Sequence, residues 1–333
     1  MRLQHYVYDQ FPVWARPTNP ILRYLLQRAQ RRRQGMARWL FRLIGIGIVV
    51  WMVAISYRAY QGNQNFGVSD QGESALFSVL YLPLLLIQFF TFTAALVLTS
   101  NMVSQEQQAG TWEAVKITSH GAEMVIRARW AAVFYQLRWL LAFLIIPRVV
   151  FVGQMLVDLT DYQGYHLDLY ITGITPEVSL EVAILLLAGL MTAALLLPLV
   201  LLGLNASIGL LLSTVFKARG TTIVAQTVIL VLEVLIVIGS LSGGWDVLDA
   251  EPITQLTSNA DMTQKLVSLV LLGTTGDQGL RFMNLETYFQ AWTDVDYGIL
   301  TGVLMLGAML LLALVTNGLL WWSARRASRP LRG

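Results

Sequence analysis

The chain has 333 residues, of which 56% are hydrophobic and only 13% charged, with a mean hydropathy of +0.59. A soluble protein carries about 25% charged residues, so this composition excludes an ordinary soluble enzyme or nucleic-acid-binding module. The net charge of +3 is small, and the absence of cysteine excludes disulfides, thiolate metal sites and cysteine nucleophiles.

In chain order, residues 1–38 read as a basic arm on the cytoplasmic side. Asn19 and Pro20 have the chemistry of an N-cap and a first helical position. Ile21, Leu22, Leu25, Leu26 and Ala29 then share one face, with Arg23, Gln27, Gln30 and Arg31 opposite. Two readings stand: an amphipathic helix lying on anionic headgroups, which the pattern favours, or a simple basic stop. The arm has no short apolar run ending in a small-residue cleavage site, so it does not read as a signal peptide.

Residues 39–322 hold six stretches long enough to span a bilayer, which takes about 20 apolar residues each. They run over 39–60, 76–103, 130–157, 180–216, 221–243 and 297–322. In lipid every backbone polar group needs an internal partner, so these segments are expected to be helices. The fourth stretch has 37 residues and reads as one long or kinked helix, or as two crossings broken near Pro198 and Gly203. Charge separates these readings. With six spans, 17 of the 23 Lys and Arg fall on one side, and only Lys265 and Arg281 on the other. The positive-inside rule therefore predicts six spans with both termini cytoplasmic; the inner (plasma) membrane is the location expected. The inner half of the fourth span carries Asn205, Ser207, Ser213 and Thr214, which can hydrogen-bond within a bundle.

The outer loops are unequal. Residues 158–179 are acidic, and the largest outer segment, 244–296, contains an apolar run, 266–272, too short to span. It reads as an outer helix or a re-entrant element. Residues 323–333 form a basic cytoplasmic tail.

The segment between the second and third spans, NMVSQEQQAGTWEAVKITSHGAEMVIRARW (101–130), carries the most information. Gly110 breaks one helix, Thr111 can cap the next, and Glu113 falls near its positive N-terminus. Ser119 can cap a further short helix. Short capped helices between two spans form a compact cytoplasmic knob. A knob with an exposed Trp112 and mixed charge can serve as a docking surface; the alternative is a folded hairpin that touches only headgroups.

Three charges fall within the third and fifth predicted spans: Arg138 and Arg148 in the third and Glu233 in the fifth. At about 1.5 Å per residue, Glu233 and Arg138 lie within a long side chain's reach in depth. The open readings are a structural ion pair, a substrate or ion contact, or a neutral Glu233. His5, His120 and His166 are isolated, so no metal site is expected. No nucleophile elbow or zincin pattern occurs.

Segment 101–130 resembles the coupling-helix region of type-2 ABC transporter permeases, the exporter class. Glu106, Gly110, Thr111, Glu113, Thr118 and Arg129 match that pattern in order, while Gln108, Trp112 and Ser119 stand where the family often has an acidic residue, Leu and Pro. NPILRYLLQRAQRRR resembles the family's elbow helix, and GLLLSTVFKARGTTIVAQ its turn between the fourth and fifth spans. The resemblance implies an all-α integral membrane fold: six transmembrane helices, an N-terminal interfacial helix, a cytoplasmic coupling loop (104–129) and a large outer segment (244–296) before the last span. It implies a transport subunit rather than an enzyme, pairing with a second permease copy in a homodimer or heterodimer. Glu106, Gly110, Thr111, Trp112, Glu113 and Thr118 would then form the docking surface for a cytoplasmic ATP-binding cassette subunit. ATP and Mg would be bound by that partner and no cofactor by this chain; membrane lipids are expected partners, and nucleic acid is not.

The residues support the division of labour independently. A P-loop needs Lys followed by Ser or Thr, whereas Lys116, Lys217 and Lys265 precede Ile117, Ala218 and Leu266. The cargo is not specified, although Thr91, Thr93, Thr99, Ser100 and Thr192 among apolar spans suit an amphipathic molecule. The competing expectation is a structural or assembly subunit of a larger membrane complex.

Overall fold

The computed structural model describes residues 10–32, 71–108, 121–160, 178–216, 218–248, 262–275 and 297–328, with single positions 110, 112, 114, 117 and 280. Every regular element among them is helical. After a short 3-10 turn at Val13–Ala15 come α1 (Pro20–Arg32), α2 (Gln71–Ser100), α3 (Met102–Gln108), α4 (Ala122–Gln136) and α5 (Arg138–Thr160). They are followed by α6 (Leu180–Val215), α7 (Arg219–Leu248), α8 (Met262–Thr274), a 3-10 turn at Gly298–Leu300, and α9 (Thr301–Ser328).

Four helical stretches among the described residues are long and apolar enough to cross a membrane, and α4 with α5 makes a fifth if that bent pair is one span. They correspond to the predicted second to sixth spans. The predicted first span, 39–60, lies outside the described residues, as do most of the outer loops, the basic tail from 329 and the three histidines. The run 266–272 falls within α8, which packs against α9.

The fourth span is the single long helix expected, and the third departs from the plain helix expected. The 37-residue stretch is one uninterrupted helix, α6, of 36 residues. At about 1.5 Å per residue it measures about 54 Å, longer than the roughly 40–45 Å of a whole bilayer. The third span, expected as one helix over 130–157, turns by 61° at Leu137. The main-chain bonds Leu137 N–H to Val133 O (2.8 Å) and Leu141 N–H to Leu137 O (2.9 Å) continue through the turn. Only Leu137 departs, with φ −97° and ψ 10°. Packing accounts for the turn: α4 is held by α1 and α9, whereas α5 lies against α2 and α6.

α6 is the central post. Its buried residues run from Ala183 to Thr214, and α9 and α2 flank it most closely. Glycine permits both approaches. A Cβ on Gly302 of α9 would stand 2.5 Å from the Leu190 backbone nitrogen, and one on Gly209 would stand 2.7 Å from the Leu96 carbonyl oxygen of α2. α7 is far less covered, exposing Val224, Val228, Leu232 and Leu235. Around α6, Leu187, Leu190, Met155 and Met305 form one apolar cluster, and Val103, Trp112, Ile126, Leu210 and Leu320 another at the end where α3 and α4 meet α6 and α9.

The arm forms the amphipathic helix that its pattern predicts. The Asn19 side-chain oxygen accepts from Ile21 N–H at 2.9 Å, and its amide donates to the Val13 carbonyl at 3.1 Å. Leu22 and Leu25 are buried against Ala132 of α4, while Arg23 and Gln27 are exposed. Tyr135 of α4 donates its hydroxyl to the Ala15 carbonyl (3.0 Å), and Trp14 meets Trp130 edge-on at 5.9 Å. The helix therefore rests on the protein through much of its apolar face.

Candidate functional site

The loop between the second and third spans begins where α2 ends at Ser100 and α3 starts at Met102. The first N–H groups of a helix have no partner within it. Here two of them, on Val103 and Ser104, donate to the Ser213 hydroxyl of α6 at 2.7 and 3.0 Å. A residue 110 positions away thus performs the work of an N-cap. Beside it, the Gln226 amide of α7 donates to the Ser100 hydroxyl. Four helices, α2, α3, α6 and α7, meet at this point.

α3 carries Glu106 inward, where it forms a buried ion pair with Arg129 of α4. Arg129 is 1% exposed, and its guanidinium also lies over the Trp112 ring, 5.2 Å from the centroid. α3 stops at Gln108, and Gly110 has φ +69°. That left-handed geometry strains any residue with a side chain, so the break predicted at Gly110 has a conformational cause. The chain then brings Trp112 into the cluster with Val103, Ile126, Leu320 and Ala324. Its indole Nε1 donates to the Ala327 carbonyl at the end of α9, at 3.0 Å. That bond closes the loop onto the last span.

The expected surface is therefore turned partly inside out. Trp112 was expected to be exposed; it is 2% exposed, and Glu106 8%. The physical reason is that indole and carboxylate both find better partners within the chain: an apolar cluster and a carbonyl for one, a guanidinium for the other. Gly110 and Gln108 are exposed, as are Ala114 and Ile117, the latter at 79%. Near the start of α4, Glu123 and Arg127 form a surface ion pair at 2.9 Å. Thr111, Glu113 and Thr118 lie outside the described residues. Ser213 and Ala327 were not singled out for this loop by sequence. Ser213 had signalled only as one of several hydroxyl groups in a span, and a main-chain carbonyl leaves no mark in sequence.

The three intramembrane charges are not brought together. Arg138, just past the bend, is exposed and lies over the Trp139 ring at 5.7 Å. Glu233 is half-buried on α7, and the Asn205 amide of α6 donates to the Leu201 carbonyl of its own helix at 3.3 Å. No bridge between Arg138 and Glu233 is formed within the chain: α5 and α7 each pack against α2 and α6 and have no substantial contact with one another. Arg148 has no exposed surface; it donates to the Ala194 carbonyl at 2.6 Å and to the Gln88 Oε1 at 2.7 Å.

In sum the molecule is a helical bundle with the span lengths and apolar surfaces of a multi-pass membrane protein. No family model, curated protein or solved structure matches the chain.

Proposed function

We propose that the chain is the membrane-spanning permease subunit of an ABC exporter, moving a substrate that the sequence does not specify with energy from ATP hydrolysed by a separate subunit. The observation that supports this most is the construction of the loop 104–129. Its sequence resembles a coupling region, and its inner residues are tied to three spans: through Ser213 to α6, through Arg129 to α4, and through Trp112 to the end of α9. A loop built in this way transmits force instead of absorbing it. Its outer residues, Ala114 and Ile117 with Glu113 between Trp112 and Ala114 in sequence, would be the contact for a cytoplasmic ATPase. Closure of two ATPases on ATP and Mg would then swing each loop and its attached spans as one piece. The second permease copy completes a pathway between the two.

The test is co-purification in detergent with a co-expressed ATP-binding cassette protein from the same source, with ATPase activity as the second readout. Glu113→Ala and Ile117→Asp are expected to weaken association and abolish stimulated hydrolysis while leaving the permease folded. Unchanged association and hydrolysis in both variants would remove the docking role from this loop.

A further inference from the structure

Arg148 is a fully buried cation in the middle of a span, where a charge without a role is strongly disfavoured. Its surroundings explain its presence. α6 contains Pro198. Proline has no N–H, so it cannot donate to the carbonyl four residues earlier, and its ring pushes that carbonyl out of line. Four residues before Pro198 is Ala194, and its carbonyl is the group to which Arg148 Nη1 donates at 2.6 Å. The second guanidinium nitrogen, Nη2, donates to the Oε1 of Gln88 on α2 at 2.7 Å. Gln88 is itself 4% exposed. A carbonyl released into an apolar bundle must be paired from elsewhere, because no water is there to receive it.

We infer that Arg148 stands in for the hydrogen bond that Pro198 removes, so that the proline break in α6 is latched by a side chain from α5. The arrangement gives the Ala194 carbonyl the donor that Pro198 denies it. It also explains why the donor is an arginine: two separate nitrogens of one planar group reach the released carbonyl on α6 and the amide oxygen on α2 together, whereas a lysine ammonium has a single nitrogen and no fork to place on both. The latch makes Arg148 a positioning residue for the central post. If the bundle moves in a transport cycle, a consequence that rests on the function proposed above, α6 would bend at Pro198 when Arg148 lets go. The latch itself does not depend on that reading.

A double-mutant cycle tests it: wild type, Arg148→Met, Pro198→Ala and the double variant. In Pro198→Ala the main-chain donor is restored, so the arginine is no longer required. The purified chain is read by its thermal midpoint in detergent. It is also read by the distance distribution between spin labels placed at Leu185 and Leu204, two exposed or half-exposed positions flanking Pro198. The chain has no native cysteine, so such labels are unique, and a straight helix sets them about 28 Å apart. Arg148→Met is expected to lower the midpoint and broaden the distribution with Pro198 present. In the Pro198→Ala background most of both effects should vanish. If Arg148→Met alone yields no folded protein, the double variant is expected to recover it. Equal losses in both backgrounds, or a double variant as poorly folded as Arg148→Met, would overturn the inference. Neither readout involves ATP or a partner, so failure here and failure of the permease reading are separable.

Discussion

The ion pair between Glu106 and Arg129 gives the sharpest prediction, because the structure holds it inside the chain while the sequence resemblance placed Glu106 on a docking face. Glu106→Gln removes the carboxylate that meets the Arg129 guanidinium, which is 1% exposed. Removing one partner of a buried pair costs about 3–5 kcal/mol. Arg129 cannot escape by losing its proton, since arginine stays charged throughout the accessible pH range; Glu106→Gln is therefore placed at the upper end. Arg129→Met takes the cation from a carboxylate whose side chain keeps 11% of its surface accessible, and it also removes the cation over Trp112. It is placed at the lower end of the same range. Replacing both, Glu106→Gln with Arg129→Met, removes both charges of the pair and is expected to be more stable than either single variant. The assay is the thermal midpoint of the detergent-solubilised chain, where about 2 °C per kcal/mol for a chain of this size gives single-variant drops of roughly 6–10 °C. A double variant that loses the sum of the two single losses would refute the reasoning, as would single losses below about 0.5 kcal/mol, the scale of an exposed pair.

Other substitutions probe the same end of the bundle and its packing. Trp112→Phe keeps most of the ring and removes the bond to Ala327, a loss of about 1 kcal/mol, whereas Trp112→Ala empties the cluster and is expected to cost about 3–5 kcal/mol; near-equal midpoints for the two would deny the cluster its weight. Ser213→Ala strips the hydroxyl that receives two N–H groups of α3 and is expected to cost about 1–2 kcal/mol, seen as faster hydrogen exchange at Val103 and Ser104. Gly302→Ala sets a methyl against the Leu190 backbone and is expected to cost about 1–3 kcal/mol by forcing α9 from α6; a midpoint unchanged from wild type would show that the two helices stand further apart.

The elements that were legible in the sequence are those governed by local rules. Pro20 and Asn19 announced the start of α1, and the cap bond at Ile21 is the mechanism expected. Gly110 announced the end of α3 through a conformation that its neighbours cannot share. Long apolar runs gave the helices because unpaired backbone groups are intolerable in lipid. What stayed hidden depends on how distant helices rotate against each other. Depth along a span can be counted from residue numbers, and by depth Arg138 and Glu233 were near neighbours. Which helices stand side by side cannot be counted, and α5 and α7 have no substantial contact. Trp112 reads as an exposed anchor until α9, 215 positions later, is seen to offer its last carbonyl. Pro198 and Arg148 were each conspicuous, as a break and as a buried charge. Only the register of α5 against α6 shows that one answers the other.

The central claim is that residues 104–129 form a handle on the cytoplasmic face, held rigidly by the bundle and gripped by a separate ATPase. The most direct measurement places a cysteine at Ile117, the exposed apex, in this cysteine-free chain, and treats membranes with an impermeant thiol reagent. The account predicts no labelling from outside intact cells, full labelling in inverted vesicles, and protection there when the ATPase subunit is bound. Labelling from outside, or inverted vesicles labelled equally with and without the ATPase, would contradict it.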